Sequence, residues 1–385
     1  MNNYQISDFE SIRPYEDHEI QSVVNHLKSE ESFLMLLKFL YPESSPDIIL
    51  NNVSKMSTIR QFQKEVISAY VRGVIEKTSQ GVTVEGLNNL LPDKPYLFIS
   101  NHRDIILDPA ILNVLFVENG FNTTEIAIGD NLLIFPWITD LVRLNRTFIV
   151  KRNLPVKQML ESTSLLSKYI RYTLTEKGNS IWIAQREGRS KDGNDRTQVS
   201  LLKMLNMSGT GNMFLNFKEL NIIPVSISYE YDPCDYLKSE EFLKKKKNIE
   251  YQKTKDDDLK HMGTGLRGRK GRIYFSFGSP INNELNTIEH LTVKNDQFTA
   301  LAELIDKHVH LNYHLWPGNY IAWDILHNSS EHKNFYTPEQ KEYFLSYINE
   351  HECRCNLTDN EDKEFIWGCM LEMYANPVEN KRQYV

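Results

Sequence analysis

The chain has 385 residues, of which 41% are hydrophobic and 25% charged, with a formal net charge of -7. That length can bury a substantial core, and the composition is too apolar for a disordered chain. The acidic balance excludes a nucleic-acid binder that relies on global positive charge, so any phosphate recognition must come from local basic clusters.

Cys234, Cys353, Cys355 and Cys369 are too few and too unevenly placed for a disulfide framework, which predicts reduced thiols in the cytoplasm. His351, Cys353 and Cys355 lack the paired C-x-x-C spacing of structural zinc sites, and no metal site is expected. The segment MNNYQISDFESIRPYEDHE is acidic and lacks the basic segment, apolar run and cleavage site of a secretory signal. No stretch approaches the about 18 uninterrupted apolar residues of a spanning helix. The longest candidate, 131–150, is broken by Asp140, Arg143 and Arg146. If the substrate is a lipid, the protein must reach the membrane from the side.

Residues 1–80 are expected to form a helical region. Ile20, Val23, Val24 and Leu27 recur at helical spacing, as do Leu34, Leu37 and Phe39, and again Ile59, Phe62, Val66 and Ala69. From about Gly81 to residue 316 the pattern changes to short β-rich runs alternating with helical ones. The runs are Tyr96–Ser100, Glu125–Gly129, Thr147–Val150, Ser180–Ala184, Ile222–Tyr229 and Arg272–Gly278. This alternation predicts an α/β domain with a largely parallel central sheet flanked by helices and a site at strand ends. Within it, residues 239–271 are polar and charged, with Lys244–Lys247 followed by Asp256–Asp258, and are expected to form an exposed excursion. From Pro317 to residue 385 aromatic-rich helical patterns, with Tyr320, Trp323, Tyr343 and Tyr347, predict a C-terminal helical cover.

The most informative stretch is Phe98-Ile99-Ser100-Asn101-His102-Arg103-Asp104-Ile105-Ile106-Leu107-Asp108-Pro109. An apolar strand delivers Asn101 and His102 to its carboxyl end, and Asp108-Pro109 reads as a helix start with aspartate at the cap. A carboxylate that accepts the imidazole N–H fixes the tautomer while the other nitrogen takes a proton from an alcohol. By itself, such a pair is equally a histidine at a turn beside an unrelated aspartate.

Three further blocks follow. Phe148-Ile149-Val150-Lys151-Arg152 places two cations after a strand, where they could hold an anion or simply be solvated. Trp182-Ile183-Ala184-Gln185-Arg186-Glu187-Gly188-Arg189-Ser190 runs from a strand into a turn where Gly188 would permit close backbone approach, Glu187 could bond a hydroxyl and Arg189 could bind phosphate. Ile222-Ile223-Pro224-Val225-Ser226-Ile227 is an apolar strand whose proline fits an edge or irregular position lining a pocket.

In this order the four blocks resemble those of the phospholipid/glycerol acyltransferase superfamily, which includes glycerol-3-phosphate and lysophosphatidate acyltransferases. The resemblance covers about Gly81 to Ile281. It implies a bacterial, soluble or peripheral member in which His102 and Asp108 form the catalytic dyad, with Asp104 as the alternative acid. Arg152, Lys151, Glu187, Gly188 and Arg189 would bind the acceptor phosphate, and Asn101 and Pro224 would line the pocket. Two departures stand out. The family usually has four residues between the histidine and aspartate where this chain has five, and Arg186-Glu187-Gly188-Arg189 lacks one spacer of the common Pro-Glu-Gly-Thr-Arg form.

The implied reaction moves a fatty acyl group from acyl-CoA or an acyl-carrier protein to a glycerol-phosphate-type acceptor, without a cofactor. The expected partners are the thioester donor, a lipid or lysolipid acceptor and the inner face of the cytoplasmic membrane, with no nucleic acid. A lyso-aminolipid acceptor and a non-catalytic lipid- or phosphate-binding module remain alternatives.

Two other motifs fail. His102-Arg103-Asp104 opens a protein-kinase catalytic loop, but Pro109 stands where that loop needs asparagine and no Asp-Phe-Gly follows. Gly263-Thr264-Gly265-Leu266-Arg267-Gly268 has the letters of a dinucleotide fingerprint but precedes a strand, and is expected to be a flexible basic loop. With Arg269, Lys270 and Arg272 it could be solvated or touch anionic headgroups.

Overall fold

Strands buried on both faces must be apolar along their whole length, and in the computed structural model this applies at the centre of a seven-stranded sheet. The structure describes residues 4–40 and 44–385. The strands are β1 (Ser79–Glu85), β2 (Leu97–Ser100), β3 (Glu125–Gly129), β4 (Thr147–Val150), β5 (Ile181–Ala184), β6 (Ile222–Tyr229) and β7 (Gly271–Phe277). They lie in the order β1-β7-β6-β2-β5-β3-β4. Every neighbouring pair is parallel except β6 and β7.

The alternation of side chains divides the core in two. On one face Leu97, Ile99, Ile181, Ile183 and Ile222 pack with Leu166, Tyr169 and Ile170 of helix Val156–Thr175 and with Leu301 and Ile305 of helix Lys294–Leu311. On the other, Phe98, Trp182, Ile223, Val225 and Phe275 meet Ile111, Leu115 and Phe116 of helix Leu107–Glu118 and Val71 and Val74 of helix Ser68–Thr78. The six predicted strand runs are thus present to within a residue or two. The seventh strand, β1, was not anticipated. It is an edge strand with no fully buried residue and pairs with β7 alone, so it needs no apolar run.

Preceding the sheet, helices Ile20–Ser29, Glu31–Leu40, Pro46–Ser54 and Ile59–Phe62 bury a core that includes Val24, Leu27, Phe33, Leu37, Leu50, Val53 and Phe62. The side chain of Phe39, part of the helical pattern, lies outside the described residues. A single π-helical turn, Gln63–Ile67, continues the chain into Ser68–Thr78. Among the described residues no helix is long and apolar enough to cross a membrane.

Residues 239–271 are exposed as expected over 244–250, but they are largely helical and partly packed into the protein. They fall largely in two helices, Asp235–Lys247 and Lys255–Arg267, with Ser239, Glu241, Leu243 and His261 buried. The charged appearance has a physical source. Lys244–Lys247 occupy the last turn of the first helix, where cations suit the dipole, and Asp256, Asp257 and Asp258 occupy the first turn of the second. Tyr236, Leu237 and Leu243 pack against helices Pro317–Leu326, Pro338–Cys353 and Asn360–Arg382 through Ile321, Phe344, Ile348 and Met370. The glycine-rich stretch is not a flexible loop, since Gly263 and Gly265 are helical. The basic residues beyond it are engaged within the protein. Lys270 is buried and donates to the Thr78 hydroxyl and the Gly268 carbonyl, Arg269 lies over Tyr231 and Tyr343, and Arg272 pairs with Glu230.

Candidate active site

β2 ends at Ser100, and its apolar run gives way at once to a polar turn. Asn101 is fully buried: its side-chain amide donates to the Ile227 carbonyl at 2.8 Å and its oxygen accepts from the Ile227 amide at 2.8 Å. This residue extends the β2–β6 pairing by one rung and does not line the cavity described below. Pro224 likewise does not line that cavity. It lies inside β6 one residue before the first β6–β7 pair, Val225 with Phe277, and its carbonyl accepts from the Gly278 amide. In an extended strand a residue's N–H and C=O point to the same side, so the missing proline N–H faces the place where β7 has already ended.

The next residue is His102. Its Nδ1 is 2.8 Å from Asp108 Oδ2, and the Asp108 side chain is completely buried while that of His102 is 13% exposed. A carboxylate only accepts, so Nδ1 carries the proton and Nε2 is left with its lone pair. The carboxylate is itself fixed by three more donors: the amides of Arg103 and Asp104, at 2.6 and 3.0 Å from Oδ2, and the Tyr229 hydroxyl, at 2.8 Å from Oδ1. Burial, then the Asp108 charge, holds the Tyr229 phenol well above its ordinary pKa, so it remains a donor. The imidazole also rests edge to face on the Trp182 ring of β5, with centroids 5.5 Å apart.

Asp104 has a different task. Its Oδ1 accepts from the amides of Ile106 and Leu107 at 2.9 and 2.8 Å, satisfying free donors at the start of helix Leu107–Glu118. Burial, with Asp108 next, raises its pKa above the usual carboxylate value. The helix start is therefore capped by Asp104 and not by Asp108, which sits in the first turn and faces back to the histidine. The extra residue between His102 and Asp108 is taken up by the turn at Ile105 and Ile106.

His102 opens on a cavity of ≈ 1360 Å³. One part of its wall is apolar and comes largely from the N-terminal helices, including Phe33, Leu50, Val53 and Phe62, together with Trp137 and Ile138. The other part is polar: Lys151, Arg152, Arg186, Glu187, Gly188 and Arg189 all line it. Parallel strands explain the convergence, because the residues after β2, β4 and β5 emerge at one edge of the sheet.

Arg152 bridges to Glu187 at 3.2 Å, and its guanidinium crosses Gly129, where a Cβ would lie 2.6 Å from Nε. Lys151 is exposed. Gly188 has φ +72°, and a Cβ there would meet nothing within 4 Å. It supplies a left-handed turn and leaves its backbone open at the cavity wall. The Ser190 amide then donates to the His102 carbonyl at 2.9 Å, tying the third block to the first. Arg189 is 8% exposed, with Nη2 2.9 Å from His261 Nδ1. Sequence reasoning missed His261 and Tyr229, since neither lies in a block of recognisable chemistry.

A histidine–carboxylate pair beside a large, partly apolar cavity with cations on its wall can activate the hydroxyl of an amphiphilic, anionic molecule. The class follows from the domain that carries the pair. Residues 81–228 match the family model described as Acyltransferase; this segment is an acyltransferase domain, and the protein is an acyltransferase. Among solved structures, the chain is similar to the 1-acyl-sn-glycerophosphate (LPA) acyltransferase PlsC from Thermotoga maritima, with a TM-score of 0.37 and 10% identity over 76% of this chain and 94% of that one. No curated protein matches the sequence.

Proposed function

We propose that the protein transfers a fatty acyl group from acyl-CoA or an acyl-carrier protein to a glycerol-phosphate-type acceptor, 1-acyl-glycerol 3-phosphate or glycerol 3-phosphate, in phospholipid biosynthesis. The observation that carries this reading is a single cavity lined by His102, by Arg152 and Arg189, and by an apolar wall. His102 Nε2 takes the acceptor hydroxyl proton as the oxygen attacks the thioester carbonyl, and Asp108 stabilises the imidazolium. The tetrahedral intermediate collapses with loss of the C–S bond, and the imidazolium returns the proton to the departing thiolate. The amides of Arg103 and Asp104 are spent on Asp108, so the donors for the oxyanion come from outside that turn.

The substrate reaches the cavity from an anionic lipid surface at the inner face of the cytoplasmic membrane. Trp137 and Met159 line the cavity, and close to them along the chain Phe135, Val156 and Leu160 are 41%, 89% and 63% exposed. Co-sedimentation with vesicles of anionic phospholipid tests this: Val156→Glu with Leu160→Glu releases the protein, and undiminished sedimentation of that variant removes the idea.

The function is tested by supplying radiolabelled acyl-CoA or acyl-carrier protein with glycerol 3-phosphate, 1-acyl-glycerol 3-phosphate or a lyso-aminolipid and separating the lipid products. Label is expected in the phosphate-bearing lipids. Label confined to the aminolipid contradicts the acceptor, and binding without incorporation into any of them identifies a non-catalytic lipid module.

A further inference from the structure

Arg189 is a buried cation with an incomplete set of partners. Among the described residues it forms no salt bridge with a carboxylate, although its charge is felt at Asp104 and Asp232. Its Nη2 meets His261 Nδ1 at 2.9 Å, and its Nη1 is buried with no hydrogen-bond partner. A buried, cavity-lining guanidinium with no carboxylate partner carries a charge that an anionic ligand would balance.

His261 comes from helix Lys255–Arg267, beyond the segment that matches the family model. The helix is fixed at both ends and along its inner face. A capping box between Thr254 and Asp257 closes its start. A Cβ on Gly265 would lie 2.2 Å from Asp104 Oδ2, and one on Gly268 would lie 2.3 Å from Pro233 Cβ. The Cys234 thiol donates to the His261 carbonyl at 3.3 Å. His261 is 4% exposed, and burial followed by the Arg189, Lys253, Lys238 and Lys191 charges lowers its pKa to about 2. The ring is therefore neutral at physiological pH and can accept from a guanidinium that only donates.

We propose that His261 is a positioning residue that holds the buried Arg189 guanidinium by one nitrogen, so that this cavity-lining cation meets the phosphate of the acceptor lipid. This deepens the function proposed above and rests on Arg189 being the phosphate ligand. In that arrangement the specificity for a phosphate-bearing acceptor depends on a helix outside the four blocks.

The test is the affinity of the protein for 1-oleoyl-glycerol 3-phosphate and for 1-oleoyl-glycerol, measured by calorimetry without turnover. His261→Phe, which keeps a ring and removes the acceptor, is expected to weaken binding of the phosphate lipid about tenfold, as loss of one charged hydrogen bond should. Binding of 1-oleoyl-glycerol is expected to change less than about twofold. His261→Gln restores an acceptor and is expected to stay near wild type, whereas His261→Ala behaves like His261→Phe. If the alanine variant does not fold, the Gln and Phe pair decides. Equal loss for both lipids, or no loss in His261→Phe, overturns the proposal. Arg189→Ala separates the two layers. If it weakens the phosphate lipid while His261→Phe does not, only the positioning role fails; if it has no effect, the assignment of Arg189 fails with it.

Discussion

Tyr229 donates to Asp108 Oδ1, the carboxylate oxygen opposite the one that serves His102, at 2.8 Å. The phenol thus keeps the acid from rotating away from the imidazole, although it touches neither the ring nor the cavity. Tyr229→Phe is expected to lower kcat about tenfold, equivalent to about 1.4 kcal/mol of lost orientation. Steady-state kinetics check this, and an unchanged kcat would show that the backbone amides alone suffice.

The two acids near His102 are expected to separate cleanly on mutation. Asp104 only accepts from helix-start amides, a task asparagine performs as well, so Asp104→Asn should remain within about threefold of wild-type activity. Asp108→Asn replaces by N–H₂ one oxygen of a carboxylate that takes four donors and removes the charge that supports an imidazolium, and kcat should fall about 10³- to 10⁴-fold. Equal losses in the two variants would refute the division of roles.

Glycines in the second helix of the 239–271 segment offer a packing test. In Gly265→Ala the new methyl would lie 2.2 Å from the Asp104 carboxylate, whereas in Gly263→Ala its nearest neighbour is the mobile end of Arg267 at 2.9 Å. Gly265→Ala should cost about 1–3 kcal/mol and reduce activity, while Gly263→Ala should gain about 0.5–1 kcal/mol from helix propensity. Urea midpoints distinguish them; a stable, active Gly265→Ala would mean that this helix does not press on the His102 turn.

These contrasts indicate which parts of the molecule the sequence exposes. The strand, turn and helix around His102 are local, so residues 98–109 carry most of their own geometry in their order. Arg152 and Glu187 were accessible because parallel strands bring their carboxyl ends to one edge. Tyr229 and His261 were not, because they meet Asp108 and Arg189 across 121 and 72 residues and look like ordinary strand and helix residues. The helices within 239–271 were hidden by their charge, which reflects solvated helix ends and not a lack of structure. Gly265 was misread for a related reason: its lack of a side chain accommodates a neighbouring carboxylate, not a turn.

A buried carboxyl distant from the dyad sets a pH dependence. Burial raises the Asp306 pKa from 3.8 to about 6, despite two hydrogen bonds from Thr197. Below about pH 4 both folded and unfolded chains hold this proton. Between about 4 and 6 the folded chain keeps a proton the unfolded chain has released, so stability falls as pH rises, and above 6 the loss is complete. Asp306→Asn, which retains an acceptor for Thr197, should therefore raise the melting temperature at pH 7 and flatten its slope between pH 4 and 6. A lower melting temperature at pH 7 would contradict this reading.

The central claim is that His102 Nε2 takes the proton of the acceptor hydroxyl. Transfer of radiolabelled acyl groups from the thioester to 1-acyl-glycerol 3-phosphate by wild type and His102→Ala, matched for melting temperature and circular dichroism, tests it most directly. Transfer is expected to fall about 10²- to 10⁴-fold in the variant. A folded His102→Ala protein that acylates the acceptor at the wild-type rate would contradict it.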